Sequence, residues 1–346
     1  MISRRQFNLM GVAALGSLGI PAIARAKEND LIRISWTNTV SVGAQTMHTL
    51  KNTDIAERNG IKLDLIQLSN SPAISESVVS GAADVGIVSD FGAVTLMAAG
   101  VPVVPFAHQC SFRSAVMVTK KSGIKTMADL KGKKIYGLFG ITAYLNAQEA
   151  VRQAGLQVGK DVQFVNIATT ELADAVRAQK IDAFFIWDPW VALFESNDLA
   201  QVLSQNLSPA MLAQARTETL NKRSDVIQRF LRAQSQALLF AANNHELTNQ
   251  WFRSLEPAKS IPVDVIEAAS NHDPHWNAKK ISDIKIALSP ESVASMDKMG
   301  QWGVGEKLLP RAPKVSELAN VALARAVDAE LATTDFDWRS VKVHQA

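Results

Sequence analysis

Two stretches of one design constrain what this chain can fold into. Asp182-Ala183-Phe184-Phe185-Ile186-Trp187-Asp188 is an acid, an apolar run and a second acid six positions on. Asp84-Val85-Gly86-Ile87-Val88-Ser89-Asp90 repeats the pattern at the same offset. A run with no solvated face reads as a strand covered on both sides. Asp188 suits a helix N-cap, and Pro189 suits the first helical position, where its missing N–H costs nothing. Each copy also follows a helix-like segment ending in small or polar residues. Two strand-to-helix corners of one design predict two similar α/β lobes facing each other across a cleft.

The rest of the chain fits this plan. Strands are expected at Leu31–Trp36, Lys62–Leu68 and Val85–Ser89, with helices near 43–57, 72–79 and 91–99 between and after them. Val101–Phe106, carrying two prolines, reads as an edge or irregular strand. This is a βαβαβα unit, the kind that builds parallel sheets. Strands at 115–119, 135–138 and 162–167, with helices from 144 to 154 and 171 to 179, repeat the logic and close on the second corner. After Gln205 almost no strand signal remains. An amphipathic helix is expected over 224–243, and more helices near 246–254, 263–270, 289–300 and 315–332. The chain thus returns to the first lobe and covers it with helices.

Charge and cysteine content exclude several classes. The 36 basic and 33 acidic residues include Arg4, Arg5 and Arg25 in an N-terminal stretch without acids. Beyond residue 26 the chain is formally neutral, which argues against a nucleic-acid partner. Cys110 is the only cysteine, so no intramolecular disulfide and no thiolate metal cluster can form. Ser3-Arg4-Arg5-Gln6-Phe7, a Gly-diluted apolar segment and Ala24-Arg25-Ala26 together read as a twin-arginine (Tat) export signal over 1–26, cleaved after Ala26. The expected location is the periplasm, reached through the Tat machinery.

Three segments carry a resemblance. Glu76 to Gly86, Ile124 to Lys134 and Ala178 to Trp190 resemble the substrate-binding proteins of bacterial ABC importers for nitrate, sulfonates and taurine, in the same order and spacing. The likeness spans about 31–255, and Glu218–Phe230 resembles the family's return to its first lobe. It implies a type II periplasmic binding protein fold: two α/β lobes, two crossover strands and a ligand between the lobes. The implied boundaries are 27–112 plus 216–346 for lobe I and 113–215 for lobe II. The implied role is a monomeric receptor that delivers a small organic anion to an inner-membrane ABC permease, with no cofactor and no catalysis. Alternatives within the resemblance are nitrate, a pyrimidine or thiamine precursor, or an enzyme of the pyrimidine-synthase type. Where many relatives have a Ser-rich loop, this chain has Gly137 to Ala143, whose Phe139 and Ile141 would make the pocket larger or more apolar.

In open parallel sheets ligands bind beyond the carboxyl ends of the strands, where helix N-termini favour anions. Strand ends nominate Thr37, Asn38, Gln45, Ser69, Asn70, Ser71, Ser89, Asp90 and Phe91 in lobe I. They nominate Phe139, Gly140, Thr142, Tyr144, Thr170, Trp187 and Asp188 in lobe II. Asp90 and Asp188 read best as helix caps; the functional alternative is binding an amine. Arg113, at the outgoing crossover, is a candidate counter-charge. Hinges are expected near 111–116 and 206–217. His272-Asp273-Pro274-His275-Trp276 offers two histidines beside an acid. No metal is assigned there, because Pro274 breaks the helix that would align them and no third ligand is near in sequence. Trp276 reads as packing or as lining the cleft mouth. No G-x-S-x-G, P-loop or H-E-x-x-H motif occurs.

Overall fold

The computed structural model describes residues 30–207 and 210–344. The expected export signal lies outside the described residues. No described helix is long and apolar enough to cross a membrane.

Lobe I begins β1 (Leu31–Trp36), α1 (Ser41–Asn52), α2 (Ile55–Arg58), β2 (Lys62–Gln67), α3 (Ser71–Ser80), β3 (Val85–Ser89), α4 (Asp90–Ala98) and β4 (Val103–Ser111). Lobe II follows with β5 (Ser114–Thr119), β6 (Lys134–Gly137), α5 (Thr142–Gln153), β7 (Gln163–Asn166), α6 (Thr169–Arg177), β8 (Ala183–Trp187), α7 (Trp190–Ser196) and β9 (Ala200–Asn206). The chain then returns as β10 (Ala210–Arg216), α8 (Thr217–Lys222), α9 (Ser224–Ala241), α10 (His245–Arg253), α11 (Val263–Ser270), α12 (Pro290–Gly305), α13 (Val315–Leu318) and α14 (Val321–Ala332).

The two sheets are built to one plan. Lobe I has the order β2-β1-β3-β10-β4 and lobe II the order β7-β6-β8-β5-β9. In each, three parallel strands are followed by an antiparallel fourth that arrives from the other lobe, β10 in lobe I and β5 in lobe II. This corrects two expectations. The segment after Gln205 does carry a strand, and residues 210–215 belong to lobe I, because β10 fills the gap between β3 and β4. The lobes therefore change over at Phe112–Arg113 and again between the end of β9 at Asn206 and the start of β10 at Ala210. The 101–106 stretch is an edge strand as its prolines require, though it extends to Ser111.

The paired acids of the opening motif fall at opposite ends of their strands. Asp84, before β3, is held by Arg33 at 3.0 Å and Arg223 at 3.0 Å. Asp182, before β8, meets Lys133 at 3.3 Å on the surface. Gly86 is dictated by packing, since a Cβ there would stand 2.6 Å from Val78 on α3. The core is continuous from lobe I into lobe II: Phe106, Phe184, Phe185, Phe194 and Phe230 are all fully buried.

Candidate functional site

The carboxyl ends of β1, β2 and β3 meet those of β6, β7 and β8 across the lobe boundary. Two connected chambers lie between them. The inner one, about 20 Å³, is lined by hydroxyls of Thr37, Thr39, Ser71, Ser89 and Thr142 and by Val40, Phe112, Leu138, Ile141, Trp187 and Met211. The outer one, about 360 Å³, is lined by Asn38, Gln67, Ser69, Thr169, Thr170, Glu256 and Pro257. Thr37, Thr39, Asn70 and Leu138 border both. Among the described residues no lysine or arginine lines either chamber.

Helix starts supply the electrostatics instead. α1, α5 and α6 begin after Val40, Ile141 and Ala168, and no side chain caps any of the three. An apolar N-cap leaves the first-turn N–H groups without the acceptor that Ser, Asp or Asn would provide. Val40 and Ile141 border the inner chamber and Ala168 the outer. α3 and α4, by contrast, are capped by Asn70 and Ser89.

The lobes touch around these chambers. The Trp187 indole N–H donates to the Thr39 carbonyl at 3.0 Å. The Thr142 hydroxyl donates to the Asp90 carboxylate. Arg152 pairs with Glu306, and His272 Nε2 lies 3.6 Å from Asp188. These contacts bridge the two lobes directly.

Several candidate residues are placed elsewhere. Gln45 is one turn into α1 and points into lobe I, bonded to Asn249 and Ser270. Phe91 packs edge-on against Trp302 at 6.4 Å. Phe139 stacks on Tyr144 at 4.2 Å, outside the chambers, while Ile141 lines one. Gly140 serves a turn, with φ of +77°. Asn38 borders the outer chamber, but its amide N–H groups donate to the carbonyls of Phe252 and Leu255 and its oxygen meets His48. Trp276 is packing: it is buried, stacked on His245 at 4.1 Å, and its N–H donates to Glu267.

Of the two acids at the corners, Asp90 departs from its expected capping role, and Asp188 combines it with an ion pair. Ser89, not Asp90, caps α4. Asp90 is buried with no cation paired to it among the described residues; burial pushes its carboxyl up to about 6, against hydrogen bonds from Thr142, Phe91 and Ala210. Asp188 accepts the Ala192 N–H, but its main partner is Arg113, which grips it through Nε at 3.0 Å and Nη2 at 3.2 Å. Arg113 also meets Glu195 at 3.0 Å, so its charge is spent on lobe II rather than offered to a ligand. Burial still holds the Asp188 carboxyl above its ordinary value, despite Arg113.

A family model described as NMT1/THI5 like matches residues 57–246. The chain belongs to this family. It is a periplasmic binding protein of the sulfonate and nitrate ABC importer family, with the type II periplasmic binding protein fold. A relative from Escherichia coli (strain K12) that carries the name of an aliphatic sulfonates-binding protein is 25% identical over 301 residues, 82% of this chain and 90% of that protein. The alkanesulfonate-binding protein SsuA from Xanthomonas axonopodis pv. citri, solved bound to MOPS, superimposes with a TM-score of 0.71 at 19% identity, covering 85% of this chain and 99% of that one. The desulfurization enzyme DSZB has the same fold, with a TM-score of 0.62 at 13% identity over 87% of this chain and 99% of that one. The family role is that of the substrate-binding component of an ABC importer, which partners a membrane permease.

Missed by sequence reasoning were Thr39, Val40, Leu138, Ala168 and Met211; Ile141, expected to shape the pocket, does line it. An available signal was the apolar residue in front of three helices, where a capping residue is the norm.

Proposed function

We propose that this chain captures an aliphatic sulfonate between its lobes and hands it to an ABC permease. The observation that carries the reading is the trio of uncapped helix starts at a cleft without cationic side chains. Such a site suits an anion that is bound by N–H groups and hydroxyls and is never protonated near neutral pH. Size assigns the two ends. The small hydroxyl-lined inner chamber takes the head group once the lobes part enough to admit it, and the roomier outer chamber takes an organic tail. The sulfonate names of the relatives support the same class. Thr37, Ser71, Thr142 and Trp187 are the proposed head-group contacts, and Ser69, Asn70 and Thr170 lie along the tail. Closure about the two crossovers, after β4 and before β10, completes the site. Export by the twin-arginine route and action as a monomer belong to this proposal.

A thermal-shift screen of the purified protein tests it. Alkanesulfonates, aminosulfonates, sulfate, nitrate and small carboxylates are titrated in parallel. A saturable rise in Tm with alkanesulfonates, and no consumption of the ligand, is expected. A panel in which no sulfonate raises Tm overturns the assignment. A response confined to aminosulfonates would shift it to an aminated ligand, with Glu256 at the outer chamber as the amine's partner.

A further inference from the structure

The sequence offered His275 and Asp273 as a pair without a third ligand. The fold supplies one from far upstream. β4 places His108 beside them, and one ligating atom from each of the three lies within 4.8 Å of the others. We propose that His108, Asp273 and His275 form a binding site for a divalent transition metal, zinc being the best chemical fit.

His275 is the decisive residue. Its Nε2 lies 3.0 Å from the Lys285 carbonyl oxygen, the shorter of its two contacts and one that favours a proton on that nitrogen. The other tautomer would let the Lys285 N–H donate to Nε2 at 3.3 Å, but would then face a lone pair to that carbonyl. With Nε2 protonated, Nδ1 presents a bare lone pair. It is buried, has no hydrogen-bond partner among the described residues, and lies 3.4 Å from the Asp273 Oδ1. The His275 side chain is only 6% exposed, so water does not relieve this. A lone pair opposite a carboxylate oxygen calls for a cation between them.

The surroundings match what a metal ligand set needs. The Lys285 carbonyl fixes the tautomer and orients the ring, as outer-shell acceptors do for ligating histidines. The Ser111 N–H and His275 N–H, each at 2.7 Å, orient the Asp273 carboxylate. The His108 and His275 rings lie side by side, their centroids 5.7 Å apart, so both imidazoles can face one ion. Two imidazoles and a carboxylate are a borderline donor set that suits zinc, with a fourth position left for water. The site sits behind the hinge. Ser111 ends β4 just before the crossover, and His272, on the same loop as Asp273, reaches Asp188 of lobe II. The ion would pin that loop to lobe I and steady one of the contacts that bridge the two lobes.

The test uses the full chain without a polyhistidine tag, stripped with chelator and then titrated with Zn²⁺ by calorimetry. One ion per chain and a Tm rise of about 3–5 °C at a hundred-fold excess over Kd are expected. His108→Ala and His275→Ala should each weaken binding by about tenfold or more, whereas His272→Ala should leave it unchanged. Loss of binding in His272→Ala alone, or retention in both cluster variants, overturns the assignment. Because a cluster variant can misfold, Co²⁺ is also added to the unaltered chain. Intense visible absorption of a low-coordinate nitrogen and oxygen site supports the proposal. The faint spectrum of the aqua ion, with no saturation by Zn²⁺, overturns it.

Discussion

Asp90→Asn gives the most direct check on the energetics of the cleft. The Asp90 carboxyl is fully buried, with hydrogen-bond donors but no cation paired to it among the described residues, and titrates at about 6 in the folded chain against an ordinary 3.8. Between these two values the unfolded chain has released the proton and the folded chain has kept it. Stability must therefore fall as pH rises through that window. The separation corresponds to about 3 kcal/mol, fully present as a penalty above pH 6 and absent below pH 4. An asparagine cannot ionise, so the variant escapes the penalty. It also brings an amide N–H₂ against donors that the carboxylate accepted, a fixed cost of about 1–2 kcal/mol. That cost does not depend on pH, so the quantity to measure is a difference of differences. Urea unfolding of both proteins at pH 4 and pH 8 should show the variant gaining about 3 kcal/mol on the parent between the two. A gap that stays constant with pH would refute the buried, uncompensated carboxylate. A gap that moves the other way would mean that a cation stabilises it.

Three further outcomes follow from the geometry. Arg113→Met leaves Asp188 buried without its guanidinium, with only the Ala192 N–H and the more distant His272 beside it, which should cost about 3–5 kcal/mol in urea unfolding at neutral pH; a loss below 1 kcal/mol would show that the pair is not a structural one. Trp187→Phe removes the indole N–H that bridges to the Thr39 carbonyl and should weaken ligand binding about tenfold through the closed state, with global stability little changed by denaturation. Ala168→Asp places a carboxylate at an uncapped helix start. It should raise stability by roughly 1 kcal/mol while abolishing the thermal shift produced by sulfonates; an intact shift would remove α6 from the anion site.

Much of this architecture was legible because its strands end in polar residues and begin after helix stops. Both Asp-apolar-Asp corners fell where their burial demanded. β10 was not legible: Ala210-Met211-Leu212-Ala213-Gln214-Ala215-Arg216 is made of good helix formers, and only the two open edges of β3 and β4 make it a strand. Polar strand ends located the cleft at Thr37, Ser71, Ser89 and Thr142, but could not say which hydroxyls serve the backbone. Arg113 and Asp188 looked like ligand groups because each is a charge near a strand end. Their mutual grip depends on two segments far apart in the chain. Gln45 shows the opposite error, where one turn of helix is enough to rotate a residue out of the cleft.

The position of β10 also sets an order of assembly. Lobe II is one continuous segment, and all its strands exist once β9 has been made. Lobe I at that moment has β4 without a partner strand and β3 with a bare edge, both waiting for residues 210–216. A nascent chain therefore carries one finished half and one half that is open to pairing with other chains. Closing it brings together strands separated by the whole of lobe II, the kind of long-range pairing that slows folding. The second half is completed only when the polypeptide comes back through the hinge.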